Sequence, residues 1–340
     1  MNQKTSKILK IVLSLSLAAV LLWFAFKGVD WGDFFSQIKT CRWGYVLCSM
    51  CCGAIAFIFR GLRWQGILKP IDPSTCALPA INAINISNVA NMVIPYSGEF
   101  IRCGVITRHS ARDPETGKPL CTYDRVLGTA ALERSWDLLS IVILLALLLF
   151  FAWESFGGFM MDKVFNPALE GITPGKIALL CVAVALLVTL VILAVALRKR
   201  YSFFDKVSGV LGRIWQGFVS CFKMKRKGLF FLYTMVIWAM YWMQMVFIIL
   251  ALPSVTSMGL WDALFLMLTG SVVSVLPIPG GFGAYHYIIS MALFSVYGFP
   301  QATVGIVFAT LAHESQALAM IITGLGSYIL ESASRSSKNA

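Results

Sequence analysis

Ionisable side chains lie inside or next to apolar segments of this 340-residue chain, at spacings that bring them together on helices. Glu99 and Arg102 are three residues apart, and Glu133 and Asp137 are four apart, so each pair shares one helix face. A charged group is costly in lipid and normally faces a cavity or a partner. The candidate functional residues of this kind are Glu99, Arg102, Glu133, Arg134, Asp137, His286, His313 and Glu314.

Structural interpretations of the same residues stay open at this point. Glu133 and Asp137 stand near the start of an apolar run, where they could merely be hydrated. Glu314 lies deeper within a run, where it could be the structural partner of an arginine. His286 and His313 are as compatible with helix packing as with a functional role.

Two apolar segments are broken by proline and glycine in the same pattern. The stretches "VIPYSGEF" (93–100) and "VLPIPGGF" (275–282) share a Pro-x-x-Gly-x-Phe skeleton. Such breaks are tolerated at membrane depth only inside protein or beside water, and paired breaks point to a transporter binding site. The N–H groups at the half-helix starts would favour an anion. The alternative to a binding site is that both breaks are ordinary helix kinks. These breaks add to the candidate site Pro95, Ser97, Gly98, Pro277, Pro279, Gly280 and Gly281.

The composition defines the class of protein that must position these residues. Hydrophobic residues make up 58% of the chain and charged residues only 13%, whereas a soluble domain has about 25% charged residues. We predict an all-α integral membrane protein, a helical bundle with six full spans and two Pro/Gly-broken segments. The predicted spans are Ile8–Phe26, Gly44–Phe59, Leu132–Trp153, Ile177–Leu197, Leu229–Leu252 and Val304–Leu330.

Two of these predicted spans depend on the residues that flank them. Ile8–Phe26 is predicted to be retained because no small-residue cleavage site follows it, the alternative being a cleaved signal peptide. Gly44–Phe59 is short for a span unless it extends through the charged stretch "RGLRW". The broken segments run from Leu78 to about Thr107 and from Trp261 to about Tyr297.

The distribution of charge predicts the orientation. The loop Arg198–Lys227 holds nine Lys and Arg residues against one Asp, and Arg60–Lys69 holds three bases and no acid, so both are predicted to be cytoplasmic. Glu154–Glu170 holds three acids and one Lys, which suits the outside. If both broken segments are re-entrant, they are inverted copies, and the N-terminus and C-terminus are both cytoplasmic.

The predicted organisation is a single transmembrane domain over residues 1–340, with inverted-repeat halves at about 44–153 and 229–330. Residues 200–223 are predicted to form a cytoplasmic amphipathic helix, since apolar residues recur there at helical spacing. Arg213 and Gln216 lie on its polar face. The helix could lie in the membrane interface or cap the bundle from below, and the two placements are compatible.

Enzymatic motifs are missing from the sequence. There is no Gly-x-Ser-x-Gly, no phosphate-binding loop and no His-Glu-x-x-His, so we expect neither an enzyme nor a cofactor. Cys48 and Cys51 form one CxxC pair without a second ligand pair, so no metal is expected. The net charge of +12 points to anionic lipid headgroups rather than to nucleic acid.

Three stretches resemble the lysylphosphatidylglycerol synthase transmembrane family, which includes the flippase half of the multiple peptide resistance factor. They are "VIPYSGEFIRCGVITR", "ALERSWDLLSIVILLAL" and "PIPGGFGAYHYIISMALFSVYG", and the resemblance covers roughly Lys10 to Leu330. The family motifs map onto Pro95, Gly98, Glu99 and Arg102; onto Glu133, Arg134 and Asp137; and onto Pro277, Pro279, Gly280, Gly281 and Gly283.

This resemblance implies a bacterial inner-membrane protein that moves a phospholipid or aminoacylated phospholipid between leaflets. Arg102 and Arg134 would hold the headgroup phosphate, and Glu99, Asp137 and Glu314 would balance charge. His286 stands near the place where many relatives carry an acid. No soluble aminoacyl-transferase domain follows, so a stand-alone member that does not synthesise the lipid is expected.

Alternatives to a phospholipid flippase remain. A carrier for polyprenyl-phosphate or a lipid-linked sugar presents the same phosphate chemistry. A lipid-binding scaffold for a membrane enzyme would move nothing, and an enzyme acting on lipid phosphate is disfavoured by the scarcity of nucleophiles. Membrane lipid is the expected partner; a homo-oligomer and a separate lipid-modifying enzyme also remain open as partners.

Overall fold

The computed structural model describes residues 19–170, 202–219, 223–273 and 278–339, and the single positions 16, 173, 175, 182, 185, 186, 189 and 192. In this part of the chain the regular structure is helical, apart from an isolated β-bridge between Arg112 and Pro119. Residues 19–26 are helical. The helices that follow are α1 (Trp31–Thr40), α2 (Trp43–Leu68), α3 (Ala77–Val93), α4 (Ser97–His109), α5 (Tyr123–Met160), α6 (Asn166–Glu170), α7 (Ser202–Phe218), α8 (Lys227–Ala251), α9 (Leu260–Val273), α10 (Ala284–Tyr297) and α11 (Ile306–Asn339).

Four of the described helical segments are long and apolar enough to cross a membrane: Trp43–Leu68, Tyr123–Met160, Lys227–Ala251 and Gln301–Ser334. Each corresponds to one predicted span, so the all-helical, multi-pass membrane protein is confirmed. Ile8–Phe26 and Ile177–Leu197 lie largely outside the described residues. The total of six spans and the re-entrant course of the broken segments therefore stay predictions.

Helix α5 is much longer than the predicted span. It has 38 residues, about 57 Å of helix, whereas a hydrocarbon core is about 30 Å thick. Its regular geometry is interrupted at Ala152, whose φ of −136° and ψ of 35° are not helical. A π-helical turn, Met161–Phe165, connects α5 to α6. The extra length at the start of α5 provides the surface on which α7 packs.

Helices α3 and α4 form a hairpin around the first break. Gly98 lies so close to α3 that a Cβ there would be 2.1 Å from the carbonyl oxygen of Ser87. In one continuous helix these two residues would be about 16 Å apart, so the chain reverses between them. Tyr96 turns the backbone with a φ of 61°, and the Gly98 N–H donates to Asn91 Oδ1 at 2.7 Å.

A buried aspartate joins the two ends of this hairpin. Asp72, after α2, accepts hydrogen bonds from Ser110 Oγ at 2.7 Å and the Ala111 N–H at 2.9 Å, both after α4. Burial by itself raises the pKa of the Asp72 carboxyl, but these bonds and those from Ser74 lower its pKa below the ordinary value. The stabilisation is therefore present at neutral pH and is lost as the pH falls through the folded-state pKa. The loops before α3 and after α4 lie on the same side of the bundle.

Helices α9 and α10 form a second hairpin. A Cβ at Gly270 would be 2.5 Å from the ring of Tyr285, so the two helices lie side by side. Between them the backbone of the 3₁₀ turn Pro279–Gly281 has positive φ at Gly280 and Gly281. Pro277 lies outside the described residues. At the open end, the Tyr297 hydroxyl donates to Asp262 at 2.8 Å, so an aspartate joins the ends of this hairpin as well.

The second break contacts helix α3 just before the first break. A Cβ at Gly280 would be 3.6 Å from the Cα of Met92, near the end of α3. A polar seam also ties α3 to α11: Asn82 donates to Glu331 at 3.1 Å and Asn85 donates to Ser327 at 2.9 Å. Thus α3 contacts the second break at one end and the C-terminal helix along its length.

Helix α7 covers Ser202–Phe218 of the predicted range 200–223, of which positions 200, 201 and 220–222 lie outside the described residues. It packs backbone to backbone on α5, because a Cβ at Gly128 would be 1.9 Å from the carbonyl oxygen of Ile214. Arg213 forms an ion pair with Asp124 at the same contact. This helix therefore caps α5, and its place in the membrane interface stays a prediction.

The first prediction concerns the side from which the hairpin opens. In a background without exposed cysteines, cysteines at the exposed positions Lys69 and Lys118 should react with a membrane-impermeant thiol reagent from one side, and a cysteine at Glu154 from the other. The reason is that the two ends of the α3–α4 hairpin lie on the same side of the bundle, whereas α5 is long enough to cross the membrane. Reaction of Lys69→Cys and Lys118→Cys from opposite sides would show that the first broken segment spans.

The second prediction tests the contact between α5 and α7. Gly128→Leu should destabilise the protein by about 1–3 kcal/mol, because the side chain has no room beside the α7 backbone. The thermal unfolding midpoint in detergent measures this. Gly212→Leu on α7 is the control, since nothing lies within 4 Å of a Cβ at that position. Equal midpoints for the two variants would contradict the close packing.

Candidate functional site

Helix α2 carries two buried arginines into the centre of the first half of the bundle. The helix continues through "RGLRW" to Leu68, so Arg60 and Arg63 lie one turn apart on it. Both guanidinium groups reach Glu133 on α5, at 3.3 Å and 3.2 Å. Both also reach Asp137, at 3.7 Å and 2.6 Å. The helix is thus longer than its apolar run, as the extension through "RGLRW" requires, and the cytoplasmic side of this stretch stays a prediction.

Arg102 on α4 approaches the same carboxylate from another direction. It forms ion pairs with Glu133 and with Glu99, and it donates to the Ala130 carbonyl at 3.3 Å. Its guanidinium lies over the ring of Trp64, 4.7 Å from the centroid. The side chain is fully buried. Arg102 is therefore held on every side by protein groups, which limits its access to a ligand.

Glu99 connects this buried arginine to an open one. Its second oxygen accepts from Arg134 Nε at 2.8 Å and from Nη2 at 2.5 Å. The Arg134 side chain is 43% exposed, compared with 14% for Glu99. Of the four guanidinium groups, that of Arg134 is the one with substantial exposure.

The charges of this cluster do not cancel. We define the arginine cluster as Arg60, Arg63, Arg102 and Arg134 with Glu99, Glu133 and Asp137. Its four guanidinium groups outnumber its three carboxylates by one. Glu133 has no exposed surface, so the interpretation that it is merely hydrated is wrong. One unit of positive charge remains available to an anion.

The N–H groups at the start of α4 do not supply further anion ligands. Those of Ser97 and Glu99 donate to the carbonyl oxygens of Ile94 and Tyr96, and that of Gly98 donates to Asn91. The expectation that this half-helix start offers free donors is therefore wrong at these three residues. Arginine side chains are left as the anion ligands of the first break.

A second cluster lies at the second break. His313 is 2.8 Å from the Gly280 carbonyl oxygen through Nε2 and 3.1 Å from Glu314 Oε1 through Nδ1. His286 Nε2 lies 3.5 Å from the same oxygen of Glu314. We call these three side chains the histidine cluster. Among the described residues, the ionic partners of Glu314 are histidines. The prediction that Glu314 pairs with an arginine is therefore wrong. The prediction that Glu314 balances the charges of Arg102 and Arg134 is wrong for the same reason.

The sequence-predicted residues thus separate into two groups. Pro95, Ser97 and Gly98 form the first break beside the arginine cluster, and Pro279, Gly280 and Gly281 form the second break beside the histidine cluster. Sequence reasoning missed Arg60 and Arg63, although extension of the short span through "RGLRW" was a usable signal. It also missed Glu331, which pairs with His109 at 2.8 Å on the polar seam.

Fold and site together define a multi-pass helical membrane protein with two broken hairpins and a charged interior. The sequence profile of the lysylphosphatidylglycerol synthase transmembrane region matches residues 8–324. The chain therefore belongs to this family. No match was found among curated proteins or among solved structures. Membership agrees with a lipid-related function in the membrane.

The third prediction concerns the buried carboxylate of the arginine cluster. Glu133→Gln keeps the size of the side chain but leaves three arginines without their shared counter-charge, which should cost about 3–5 kcal/mol. We expect a large fall in the unfolding midpoint in detergent and loss of monodisperse protein. Glu154→Gln, at an exposed position on the same helix, is the control and should match the wild type. A midpoint for Glu133→Gln equal to that of the control would show that the pairs contribute little.

Proposed function

We propose that this protein is a flippase-like transporter that moves a phospholipid between the leaflets of a bacterial inner membrane. One observation carries the proposal: four arginines and three carboxylates meet inside a helical bundle and leave one positive charge. A phosphodiester headgroup carries one negative charge. Binding one such group balances the cluster, and a charge-assisted contact between arginine and phosphate is strong.

Arg134 is the residue that meets the phosphate in this proposal. It is half exposed, and Glu99 holds it in place through two hydrogen bonds. Arg102 acts from the buried side, where its ion pair with Glu99 fixes that carboxylate. Arg102 is thus a positioning residue, a narrower role than the sequence predicted. An arriving phosphate competes with Glu99 for Arg134 and completes the charge balance.

The polar face of α3 provides a route between the breaks. Asn82, Asn85 and Asn88 recur at helical spacing and are buried, and the end of the helix contacts Gly280. The Nδ2 group of Asn88 has no hydrogen-bond partner in the described part of the chain. A headgroup following this face exchanges hydrogen bonds with amides while its acyl chains stay in lipid. No chemical step is required, so the proposed activity is transport without catalysis.

The proposal places the N-terminus and the C-terminus of the chain in the cytoplasm. The basic loop around α7 lies inside by the positive-inside rule. The first hairpin then opens to the cytoplasm and the second to the exterior. The arginine cluster receives a headgroup from one leaflet, and the second break releases it to the other.

The fourth prediction separates substrate binding from folding. In liposomes with a fluorescent phosphatidylglycerol, Arg134→Ala should reduce leaflet transfer at least about tenfold, the loss of one charge-assisted contact. Glu99→Gln should reduce transfer too, because Arg134 loses its positioning partner. Both proteins should remain monodisperse. Arg102→Ala should instead lose folded protein, since it empties a fully buried position between two carboxylates.

Arg213→Ala is the matched control. Arg213 is 41% exposed and also pairs with a carboxylate, that of Asp124, but it lies outside the arginine cluster. Transfer by this variant should match the wild type. Wild-type protein that binds phosphatidylglycerol without transferring it would favour a scaffold, and transfer only of a polyprenyl-phosphate probe would favour that carrier. Normal transfer by folded Arg134→Ala would remove the arginine cluster from the pathway.

A further inference from the structure

The histidine cluster brings three ligand atoms of the kind that bind transition metals into one place. One nitrogen each of His286 and His313 and one oxygen of Glu314 all lie within 4.8 Å of one another. The two nitrogen–oxygen distances are 3.5 Å and 3.1 Å. A tetrahedral zinc ion with bonds of about 2.0–2.1 Å separates its ligands by about 3.3 Å. Two of the three separations between ligand atoms are therefore close to those around a zinc ion, and the third lies within 4.8 Å.

A hydrogen bond indicates which ring nitrogen of His313 carries a hydrogen. Its Nε2 lies 2.8 Å from the Gly280 carbonyl oxygen, which can only accept, so Nε2 carries the hydrogen. In the neutral ring, Nδ1 then presents a lone pair to the Glu314 carboxylate at 3.1 Å. Because the Nδ1 lone pair and the carboxylate oxygen both accept hydrogen bonds, their separation of 3.1 Å requires a cation or a proton between them. A ring N–H bound to a backbone carbonyl is also the usual outer support of a metal-binding histidine.

His286 adds the third ligand and favours a metal over a shared proton. Its side chain is almost fully buried, and its Nε2 faces the same Glu314 oxygen from 3.5 Å, beyond a good hydrogen bond. Its Nδ1 has no hydrogen-bond partner among the described residues. Hydrogen bonds from both rings to Glu314 need a separate proton on each ring, whereas one ion satisfies two nitrogens and an oxygen at once.

We propose that His286, His313 and Glu314 form a binding site for a divalent transition metal of the zinc class. Two histidines and one glutamate are a known zinc ligand set that leaves a fourth position open. The rings of Phe26, Phe282 and Tyr285 surround the histidines at centroid distances of 4.9–5.5 Å, so little water competes. The Glu314 side chain is 46% exposed, so an ion reaches the site from its side of the cluster.

The ion would join α10 and α11 next to the second break. His313 holds the Gly280 carbonyl through one ring nitrogen and the metal through the other, so binding stiffens the turn Pro279–Gly281. This site does not depend on the proposed transport activity. The spacing of these ligands along the chain matches no common metal motif, so the sequence analysis named the three residues without predicting a metal site.

Zinc binding to the purified full chain tests the proposal. All variants carry serine at the exposed cysteines Cys48, Cys51 and Cys76, which could bind zinc by themselves. After treatment with a chelator, the protein is titrated with Zn²⁺, and bound metal is measured by mass spectrometry. We expect one tight site per chain and a higher unfolding midpoint with zinc. Cobalt should give the visible absorption bands of a tetrahedral site.

Glu314→Gln is the deciding variant, because it keeps the His313–Gly280 hydrogen bond and the shape of the side chain. It should weaken zinc binding at least about tenfold, and His286→Ala should do the same. His109→Ala is the control: His109 also pairs with a glutamate, Glu331, but no second histidine is part of that pair. Failure to bind zinc in the wild type, or equal binding by folded Glu314→Gln and His109→Ala, would overturn the proposal.

Discussion

The fold of the first half depends on one carboxylate that water does not reach. Glu133 on α5 is fully buried and forms ion pairs with Arg60 and Arg63 from α2 and with Arg102 from α4. Removing charges from water costs several kcal/mol per ion, so each partner must arrive within contact distance for the arrangement to be tolerated. The three helices are therefore fixed relative to one another by charge, whereas apolar packing alone would allow them to slide.

The close approach of these helices is achieved by glycine. Gly61 lets α2 lie against α3, since a Cβ there would be 2.6 Å from the Cα of Ile81, and Gly98 lets α4 fold back on Ser87. Only after this reversal do Glu99 and Arg102 face α5. The first break is thus a requirement of the charge cluster, because an unbroken helix would carry these two residues away from Glu133. A side chain at either glycine would separate the ion pairs as well as the backbones.

Much of this arrangement was readable from the sequence, and the remainder has identifiable physical causes. Composition and apolar runs predicted the helical bundle, and spacing predicted the shared faces of Glu99 with Arg102 and of Glu133 with Asp137. Arg60 and Arg63 were not recognised as part of the cluster because the charge of bases beyond an apolar run was used only to assign a side of the membrane, although a helix can continue past its apolar stretch. The meeting of His286 with Glu314 was not predictable, since it depends on how α10 and α11 pack.

With the proposed metal bound, the histidine cluster would carry the same net charge as the arginine cluster. The arginine cluster carries one excess positive charge, and a divalent ion held by Glu314 at the second break would carry one as well. In the proposed transport, a phosphate anion that left Arg134 and followed the amides of α3 would then meet an equal counter-charge near Gly280, which contacts the end of α3. Transfer in a membrane requires binding that is strong enough for entry and weak enough for release, and equal charge at both ends of the path would avoid trapping the anion at one of them. A metal that stiffens the second break would therefore act on the release of the headgroup while leaving the ion pairs around Glu133 untouched.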